Sequence, residues 1–527
     1  MSRHLLSIEG MTCPACAAHL TQALEALPGV KAEVDHAAGR ARVEAPEGVS
    51  AEQLEAVVTA AGYRVRRRGG EIPQRVAIIG SGSAAMACAT TLAEAGVEVT
   101  LVEQGTVGGT CVNIGCVPSK IFIQAAHLVH AQRHPAIPGI LPGPARVDWA
   151  TLRQAILERV AELRRAKYQA IIDGEPRIHL LRGRARFLDS HTLVVATAEG
   201  ETRLQADAFL VATGARAAIP ALPGLAGTPY WTSTEALFSE QRPESLLILG
   251  GGVIACELAQ AHARLGARVT MLTRSRLLSR LPEAVGETLA AAFVAEGIEV
   301  AQGEVETVEH DARGFHITLR DGGRRAAHHL LVATGRRPNT DELGLEAAGV
   351  AVDDHGHIRV DEHLRSAQGH IYAAGDCTDL PQFVYVAARA GTLAACNLLG
   401  GNEALDLSVL PQVVFTDPQV AVVGQSPGPG LQQRTLPLDQ LPRALADFRT
   451  HGQMTLVADE AGRLRGAQIV SHRAGEVIQS AALAIAAGMT VEALGATLFP
   501  YLTEGEGLKL AAQTFIKDVS KLSCCAG

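Results

Sequence analysis

Three pairs of cysteines lie at spacings that suit a soft metal ion or a redox-active disulfide. From the N-terminus to the C-terminus, the pairs are Cys13 with Cys16, Cys111 with Cys116, and Cys524 with Cys525. Thiolate sulfur is the ligand that soft ions prefer, and two neighbouring thiols can also cycle between dithiol and disulfide. One pair alone is compatible with chance. An entry pair, an internal pair and a tail pair on one chain indicate a route for a thiophilic ion into a redox centre.

The composition is that of a soluble globular protein with several domains. The chain has 527 residues, of which 47% are hydrophobic and 19% charged, and its formal net charge is -8. This length allows three or four domains that each bury a core. The acidic balance argues against a nucleic-acid-binding surface, and no apolar run reaches the ~18 residues of a membrane span. Ten cysteines without a secretory leader favour a reducing cytoplasm.

The first 68 residues predict a small metal-binding domain. Alternating strands and two amphipathic helices occur in the order βαββαβ, which is typical of a ferredoxin-like sandwich. Cys13 and Cys16 stand in the loop before the first helix, where both sulfurs can converge on one ion. Linear coordination by two thiolates suits Hg(II) and Cu(I), whereas zinc prefers four ligands. The pattern does not distinguish mercury from copper.

A dinucleotide-binding pattern follows a short linker. The apolar strand that begins at Val76 ends in a glycine turn, which leads into a helix and a second strand. Gly80 permits the tight turn, Gly82 lets the backbone approach a pyrophosphate, and Ala85 allows close packing of the helix. Glu103 ends the second strand, where a carboxylate accepts hydrogen bonds from ribose hydroxyls. Strand, glycines, helix and acid together predict a dinucleotide site.

The same pattern occurs a second time, which predicts two dinucleotide-binding domains, the second inserted in the first. Its small residues are Gly250, Gly252 and Ala255. Its second strand ends without an acid and is followed by Arg274 and Arg276. An arginine pairs with a 2′-phosphate that a carboxylate would repel, so we expect NADPH rather than NADH. The alternative is that both arginines are merely solvated.

Other strand ends complete the nucleotide-binding framework. Gly214 and Gly335 follow apolar strands and mark the crossings between the interleaved domains. Asp376, after Gly375, ends another strand with an acid poised for a hydroxylated ligand.

The internal cysteine pair follows a glycine turn and begins a helix. Cys111 and Cys116 are preceded by Gly109 and Thr110. The positive end of a helix dipole lowers the pKa of a thiol, so one of the two should be a thiolate at neutral pH. An inert buried pair is the alternative, and the flanking glycines argue against it.

These residues resemble the flavin-dependent pyridine nucleotide–disulfide oxidoreductases, the group of glutathione reductase and lipoamide dehydrogenase. Within that group the sequence is similar, over essentially its whole length, to the members that reduce Hg(II), and its N-terminus resembles heavy-metal-associated domains. The resemblance implies an α/β fold with two interleaved Rossmann-like domains for FAD and NADPH and an α+β dimerisation domain. The boundaries that we expect are 1–68 for the heavy-metal-associated domain, 69–74 for a linker, 75–215 and 336–405 for the FAD domain, 216–335 for the NADPH domain and 406–527 for the dimerisation domain.

The resemblance also assigns roles to single residues. Cys116 would face the flavin as the charge-transfer thiolate, Cys111 would be the exchanging thiol, and Lys120 would lie by the flavin N5. The residues expected to bind the two cofactors are Gly80, Gly82, Ala85, Glu103, Gly109, Thr110, Lys120, Gly214, Gly375, Asp376, Gly250, Gly252, Ala255, Glu257, Arg274 and Gly335.

The base that disulfide reductases of this group carry near the C-terminus is absent. There a histidine, followed five residues later by a glutamate, passes a proton to a thiol leaving group. Here Tyr501 stands in the histidine's place and Glu506 lies five residues on. A phenol with a pKa of about 10 is a poor base at neutral pH, which disfavours disulfide exchange and favours reduction of a metal ion. Glu504 and Gly505 stand where the members that reduce Hg(II) carry an apolar pair, a departure that concerns local packing.

By the same resemblance the C-terminal tail feeds the redox centre. Cys524 and Cys525 would collect Hg(II) and pass it to Cys111 and Cys116 of the partner subunit, so a homodimer is required. Tyr168 resembles a second tyrosine of the metal pocket, and an aromatic side chain on a helix surface is the alternative.

The function that we expect is NADPH-dependent reduction of Hg(II) to elemental mercury through FAD, in the cytoplasm, for mercury detoxification. Small thiols and a mercury-delivering transporter or carrier are the expected partners, with no nucleic acid and no membrane span. Two alternatives remain. Reduction of an organic disulfide such as lipoamide is opposed by Tyr501 and the tail cysteines. A metal-trafficking or sequestering role is opposed by two intact nucleotide-binding patterns.

Overall fold

The computed structural model describes residues 2–36, 39–46, 48–66 and 72–518. Within these ranges the chain forms two compact units. The first consists of the described residues of Met1–Asn113, Ala161–Arg216 and Arg337–Leu405, and the second of those of Ile114–Val160, Ala217–Arg336 and Asp406–Gly527. Each unit is assembled from segments that are distant in sequence. This interleaving agrees with one nucleotide-binding domain inserted into another.

The N-terminal part of the first unit is an antiparallel sheet with two helices. Its elements are β1 (Ser2–Glu9), α1 (Pro14–Glu25), β2 (Lys31–Asp35), β3 (Arg40–Ala45), α2 (Ala51–Ala60) and β4 (Arg64–Arg66). The strand order is β2-β3-β1-β4, and Leu6, Leu20 and Leu54 are buried in the core. Ser50 and Gln53 form a capping box at the start of α2. The predicted βαββαβ order is confirmed.

The remaining helices and strands follow in three stretches. The first contains β5 (Arg75–Ile79), α3 (Ser83–Glu94), β6 (Glu98–Glu103), α4 (Gly109–Ile114), α5 (Cys116–Arg133), α6 (Trp149–Arg164), a π-helix (Arg165–Gln169), α7 (Ala170–Gly174), β7 (Ile178–Arg182), β8 (Arg184–Asp189), β9 (Thr192–Thr197), β10 (Gly200–Gln205), β11 (Ala208–Val211) and β12 (Ala215–Ala217). The second contains α8 (Ser233–Phe238), β13 (Ser245–Leu249), α9 (Val253–Arg264), β14 (Arg268–Thr273), α10 (Glu283–Ala295), β15 (Glu299–Gln302), β16 (Val305–Asp311), β17 (Gly314–Leu319), β18 (Arg324–Ala327), β19 (His329–Val332) and β20 (Arg336–Pro338). The third contains β21 (Ile371–Ala373), α11 (Val384–Leu398), β22 (Gln412–Val414), β23 (Gln419–Gly424), β24 (Gln432–Pro437), a 3-10 helix (Leu438–Gln440), α12 (Pro442–Ala446), β25 (Gln453–Ala458), β26 (Leu464–Ser471), α13 (Ala474–Ala486), α14 (Val491–Ala496) and α15 (Glu506–Gln513).

Two parallel sheets repeat one architecture. The strand order is β21-β11-β5-β6-β7 in the first unit and β15-β14-β13-β19 in the second. After their first residues, Arg75 and Ser245, the central strands β5 and β13 are continuous apolar runs whose side chains are buried, as expected for parallel strands that helices cover on both faces. A helix follows each central strand, α3 after β5 and α9 after β13. Each unit also contains a three-stranded antiparallel sheet, β10-β9-β8 in the first and β16-β17-β18 in the second.

The last part of the second unit is an antiparallel sheet with helices, as the α+β prediction for this segment states. Its strand order is β22-β23-β26-β25-β24. Leu456 and Ile469 of the sheet and Ile478 of α13 lie in one buried cluster. The helix that we expected from Glu476 to Ala487 runs from Ala474 to Ala486.

One stretch among the described residues, Gly109–Arg133, is long and apolar enough to cross a membrane, with a mean hydropathy of 1.2. It comprises α4 and α5. Phe122, Ile123 and Ala126 of α5 lie in the core of the second unit, where α5 packs on α9. The fold therefore accounts for the apolar character of α5.

Candidate active site

The first glycine pattern forms a narrow turn at the carboxyl end of β5. Gly80 has a φ of 111°, and a Cβ added there would lie 2.4 Å from the carbonyl oxygen of Ala212. Gly82 is the N-cap residue of α3 and supplies no side-chain cap. A Cβ on Gly109 would lie 2.7 Å from the Cα of Gly82, so the structure brings these predicted glycines together. The first amides of α3 are therefore open to a pyrophosphate, which fits FAD.

The acidic residues of this module end neighbouring strands of the same sheet. Glu103, at the end of β6, accepts hydrogen bonds from Ser81 Oγ at 2.6 Å and from the Gly105 amide at 2.7 Å. Asp376 follows β21 and is half-buried. A Cβ on Gly375 would lie 3.6 Å from the Cβ of Ala84 in the first turn of α3. The carboxylates thus flank the open start of α3, where a ribose or ribityl chain would lie.

For three other predicted residues of this module, the structure gives the burial or the backbone conformation. Ala85 is fully buried, which permits the close packing of α3. Thr110 is exposed on α4, and Gly214 has a φ of 68° at the turn after β11.

The second glycine pattern repeats the first in the second unit. Gly250 has a φ of 129°, and a Cβ there would lie 2.3 Å from the carbonyl oxygen of Ala333. Gly252 caps α9 without a side-chain hydrogen bond, and a Cβ on it would meet open space. Ala255 is fully buried, and Gly335 has a φ of 145°. This cradle fits the pyrophosphate of NADPH for the same reason that the first fits FAD.

The two arginines after β14 have different surroundings. The guanidinium of Arg276 donates hydrogen bonds to the carbonyl oxygens of Leu278, Ser279 and Leu281 at 3.2, 3.1 and 2.6 Å. Arg276 therefore holds its own loop together. Arg274 is exposed and directly follows Thr273, which ends β14 as Glu103 ends β6 in the first module.

The redox cysteines lie on two consecutive helices. Cys111 is the third residue of α4 and Cys116 the first residue of α5, with Gly115 between the helices, and both cysteines are half-buried. The sequence predicted one helix start, so the break at Gly115 is a correction. It gives Cys116 its own helix N-terminus, where the dipole favours a thiolate.

Asn113 orders the turn that precedes the cysteines. Its side-chain amide donates to the carbonyl oxygens of Val107 and Gly109, both at 2.9 Å, and its Oδ1 accepts from Arg164 at 3.1 Å. The sequence reading missed Asn113, because its most informative partner lies 51 residues away on another helix.

Tyr168 lies beside the same turn. Its ring is 3.4 Å from the position of a Cβ added to Gly108, and it belongs to the π-helix. Such local widenings of a helix frequently occur at functional sites. Tyr168 is half-buried and packs against the core of the first unit, which argues against the alternative of a purely surface aromatic.

Lys120 lies four residues after Cys116, on the same face of α5. Its ammonium is 2.7 Å from Glu257 Oε2 and 4.4 Å from the centre of the Phe415 ring. Glu257 is buried, and its other oxygen accepts the Phe415 amide at 3.0 Å. The carboxylate of Glu257, predicted in the cofactor-binding set, is thus engaged by Lys120 and Phe415, and the sequence reading missed Phe415.

The loop that carries Tyr501 is fastened by two glutamates. Glu506, the first residue of α15, is buried and accepts the Leu502 amide at 3.2 Å. Glu504 is also buried and accepts from Ser471 Oγ at 2.7 Å and from the Arg473 amide at 2.9 Å. The buried carboxylate of Glu504 therefore has hydrogen-bond donors from Ser471 and Arg473. Tyr501 itself is 48% exposed.

The N-terminal cysteines converge as predicted. Cys13 Sγ and Cys16 Sγ are 3.4 Å apart at the start of α1. Hydrogen bonds from the Thr12 backbone and from the Cys13 side chain lower the pKa of Cys16 to about 6. Cys16 is therefore mostly a thiolate at neutral pH and ready to bind a soft ion.

The tail pair, Cys524 and Cys525, lies outside the residues that the structure describes. In the described part of the chain, no three histidine, cysteine or acidic side chains lie close enough to hold a metal ion.

Known proteins similar to this chain share its whole organisation. Residues 74–391 match the pyridine nucleotide-disulphide oxidoreductase family, residues 410–512 its dimerisation domain, and residues 5–64 the heavy-metal-associated domain. Mercuric reductase from Acidithiobacillus ferrooxidans is 52% identical over 99% of this chain and 98% of its own length. Mercuric reductase from Shigella flexneri is 50% identical over 99% of this chain and 100% of its own length.

A similar solved structure is that of the HOCl-induced flavoprotein disulfide reductase RclA from Escherichia coli, with a TM-score of 0.76 and 30% identity over 84% of this chain and 100% of that one. LpdA from Mycobacterium tuberculosis has the same TM-score of 0.76 at 27% identity, over 84% of this chain and 100% of its own. The fold, the redox cysteine segment and the full-length similarity agree. The chain belongs to the pyridine nucleotide-disulphide oxidoreductase family and, within it, to the mercuric reductases.

Proposed function

We propose that this chain reduces Hg(II) to elemental mercury with NADPH as the electron donor and FAD as the bound cofactor, in the service of mercury detoxification. The observation that carries the proposal is the similarity to mercuric reductases across 99% of the chain. That similarity takes in the N-terminal cysteine pair, both nucleotide cradles and the redox cysteine segment.

The two glycine cradles have separate tasks in this proposal. The open start of α3, with Glu103 and Asp376 beside it, binds FAD, and the open start of α9 binds NADPH. FAD held in the first cradle would supply the two-electron chemistry that connects NADPH with the cysteine pair. Arg274 pairs with the 2′-phosphate, because Arg276 is already engaged by three carbonyl oxygens of its own loop.

Cys111 and Cys116 bind the ion and pass electrons to it. Cys111 is the exchanging thiol that takes Hg(II) from an incoming thiolate, and Cys116 is the thiolate on the flavin side. When both sulfurs hold the ion, two electrons that originate from NADPH would reduce Hg(II) to the neutral atom, and both sulfurs would leave as thiolates, free for the next ion. Lys120, fixed by Glu257, keeps a positive charge on the Cys116 side of α5.

The tyrosines support metal binding in this proposal. Tyr501 and Tyr168 supply hydroxyl groups to the metal pocket, and Glu506 holds the Tyr501 loop through the Leu502 amide. Because a phenol is a poor proton shuttle at neutral pH, reduction of an organic disulfide is disfavoured.

Successive thiol pairs deliver the ion. The match to a dimerisation domain fits a homodimer. In that dimer the tail cysteines Cys524 and Cys525 of one subunit pass Hg(II) to Cys111 and Cys116 of the other. The N-terminal cysteine pair and small thiols, with a transporter or carrier upstream, supply the tail. Exchange between thiolates moves the ion without releasing it to water.

The domain boundaries follow the same proposal. Residues 1–68 form the heavy-metal-associated domain, 69–74 the linker, 75–215 and 336–405 the FAD domain, 216–335 the NADPH domain, and 406–527 the dimerisation domain and tail. The cytoplasm supplies the small thiols that carry Hg(II) and the NADPH that its reduction consumes.

NADPH oxidation by the purified, flavin-loaded protein tests the function. Hg(II) is offered with an excess of small thiol, and lipoamide and glutathione disulfide are the parallel substrates. We expect oxidation that depends on Hg(II), with release of volatile mercury, and none with either disulfide. Turnover of a disulfide but not of Hg(II) would refute the proposal and would show that a tyrosine at position 501 does not prevent disulfide reduction.

A further inference from the structure

Helix α9 carries a buried polar face that the nucleotide cradle does not use. Glu257, Gln260 and Arg264 are spaced three and four residues apart, so their side chains lie along one side of the helix. They are 5%, 2% and 6% exposed, respectively. Buried polar groups of this kind require defined partners. All of the partners described below belong to the second unit.

The main chain of one short segment, Phe415–Asp417, is bound to this face. The Phe415 amide donates to Glu257 Oε1 at 3.0 Å. The Gln260 side chain accepts the Asp417 amide at 2.7 Å and donates to the Asp417 carbonyl oxygen at 2.6 Å. These contacts fix the backbone of the segment at two points, one on each side of Thr416.

Three further side chains bind the same segment through the carboxylate of Asp417. This carboxylate accepts from Arg264 at 3.1 Å, from Arg449 at 3.3 Å, and it lies 3.0 Å from His472 Nδ1. Burial alone would raise the pKa of Asp417, but the hydrogen bond with His472 and the charges of the two arginines hold that pKa far below its usual value. Asp417 is therefore a carboxylate at every working pH and a permanent anchor.

The anchored segment contacts Lys120 through the ring of Phe415. The Phe415 ring centre lies 4.4 Å from the Lys120 ammonium, a distance at which the ring face attracts a cation. Glu257 holds the same ammonium at 2.7 Å. Lys120 is thus held between a carboxylate and an aromatic ring, and both belong to the group of contacts that Asp417 and Gln260 organise.

We propose that Asp417, with Gln260 and Arg264, is a positioning residue for the redox centre: it fixes Phe415, and Phe415 with Glu257 fixes the place of the Lys120 ammonium. This inference rests on the proposed function, in which Cys116 is the thiolate on the flavin side and Lys120 lies on the Cys116 side of α5. It adds that the segment matched to the dimerisation domain sets the geometry of a residue on the redox helix α5.

The test compares Asp417→Asn and Phe415→Leu with the parent protein, each purified with its flavin. Three quantities are measured: the rate of flavin reduction by NADPH in an anaerobic single turnover, the thiolate–flavin charge-transfer absorbance of the two-electron-reduced protein, and amide hydrogen exchange in the peptide 413–419. We expect flavin reduction to be about three- to tenfold slower in both variants, with unchanged NADPH affinity. The charge-transfer absorbance should fall in both, and exchange in the peptide should be faster in Asp417→Asn.

Two further variants test whether the effects are specific to the aromatic ring of Phe415 and the carboxylate of Asp417. Phe415→Tyr keeps the aromatic face and should restore the parental rate and spectrum. Asp459→Asn is the control, because the Asp459 carboxylate, in the same sheet-containing domain, likewise accepts from an arginine, Arg465, and in addition accepts the amides of Ala461 and Arg463. It should leave all three quantities unchanged.

A double variant separates this inference from the proposed role of Lys120. If Phe415 acts through Lys120, Phe415→Leu should add no further slowing to Lys120→Met. Parental rates and spectra in both Asp417→Asn and Phe415→Leu would overturn the inference, as would independent, additive effects in the double variant. A parental rate of flavin reduction in Lys120→Met would overturn the placement of Lys120 and this inference together, while leaving Hg(II) reduction as a separate question.

Discussion

At the scale of single residues, two arginines that look alike in the sequence have different tasks. The guanidinium of Arg276 donates hydrogen bonds to the carbonyl oxygens of Leu278, Ser279 and Leu281. Arg274 is exposed and directly follows β14. The sequence shows two positive charges but not their different surroundings, because the acceptors of Arg276 are backbone atoms whose position depends on how the loop folds.

Reversing the charge of Arg274 should change coenzyme selectivity. In Arg274→Glu, a carboxylate would repel the 2′-phosphate, so we expect kcat/KM for NADPH to fall about thirtyfold or more while kcat/KM for NADH stays within about twofold. Steady-state kinetics with both coenzymes measure the ratio. Arg276→Gln is the control: it should lower the melting temperature and leave the ratio unchanged. An unchanged ratio in Arg274→Glu would contradict the assignment.

The N-terminal pair should react as a thiolate well below the pH at which ordinary cysteines do. Because the pKa of Cys16 is lowered to about 6, its alkylation by iodoacetamide should rise with pH and reach half its maximum near that value. Cys13→Ala should move the midpoint upward, since the Cys13 side chain contributes to the lowering. Mass spectrometry of the peptide gives the profile. Cys88, whose pKa burial raises, serves as the unreactive reference, and a Cys16 midpoint near 9 would refute the prediction.

Much of the site could be predicted at this scale, and the remainder could not for a physical reason. The cysteines, the glycines of both cradles and Lys120 stand in local patterns that report their own geometry. Phe415 and Asp417 lie 158 and 157 residues from Glu257 and Gln260, which bind them. A contact that only tertiary folding creates has no local signature, so the sequence could not show it.

At the scale of elements, α9 combines a nucleotide cradle at its start with a buried histidine near its end. His262 is fully buried among the rings of Phe122, Trp149 and Trp231, at centre distances of 4.9, 6.3 and 6.5 Å. Burial lowers the pKa of His262 to about 4. The folded protein therefore keeps this ring neutral at a pH where the unfolded chain binds a proton.

His262 should make the second unit sensitive to acid. Stability that depends on the neutral ring is complete above the unfolded pKa of 6.5 and is lost as the pH falls toward about 4. At pH 5 the loss amounts to about 2 kcal/mol relative to pH 7, and His262→Phe should remove that part of the loss. Trp149 and Trp231 are the two tryptophans of the chain and both lie beside His262, so urea unfolding followed by their fluorescence reads the region directly.

The exposed His451 provides the comparison for this measurement. His451→Leu should keep the parental dependence of stability on pH. The same dependence in His262→Phe as in the parent would show that other groups cause the acid sensitivity.

Element types and order were predictable, whereas irregularities inside elements were not. The repeated strand–glycine–helix pattern gave both parallel sheets, because apolar runs and glycine turns are local properties. The break at Gly115 and the π-helix that carries Tyr168 are not, since a helical sequence pattern does not show where the hydrogen bonding of a helix is interrupted or widened. Both irregularities occur beside residues that we assign to chemistry.

At the scale of the whole molecule, the proposed delivery by the tail makes activity a property of the dimer. A subunit with Cys524→Ser and Cys525→Ser can be co-expressed with a subunit that carries Cys111→Ser and Cys116→Ser. We expect the purified mixed dimer to reduce Hg(II) at low thiol concentration with about half the parental activity, because one of its two sites is complete. Each homodimer of variant subunits should be nearly inactive. An inactive mixed dimer would mean that the tail serves its own subunit.

The two glycine turns have the same geometry at two places in the chain. A side chain at Gly80 or at Gly250 would strike the carbonyl oxygen of the neighbouring strand at almost the same distance, 2.4 and 2.3 Å. The turn recognises only what the two dinucleotides have in common. In the proposed function, what distinguishes them is read by Glu103 in one copy and Arg274 in the other. The residue that selects the ligand can therefore differ between the two copies without any change in the turn on which binding depends.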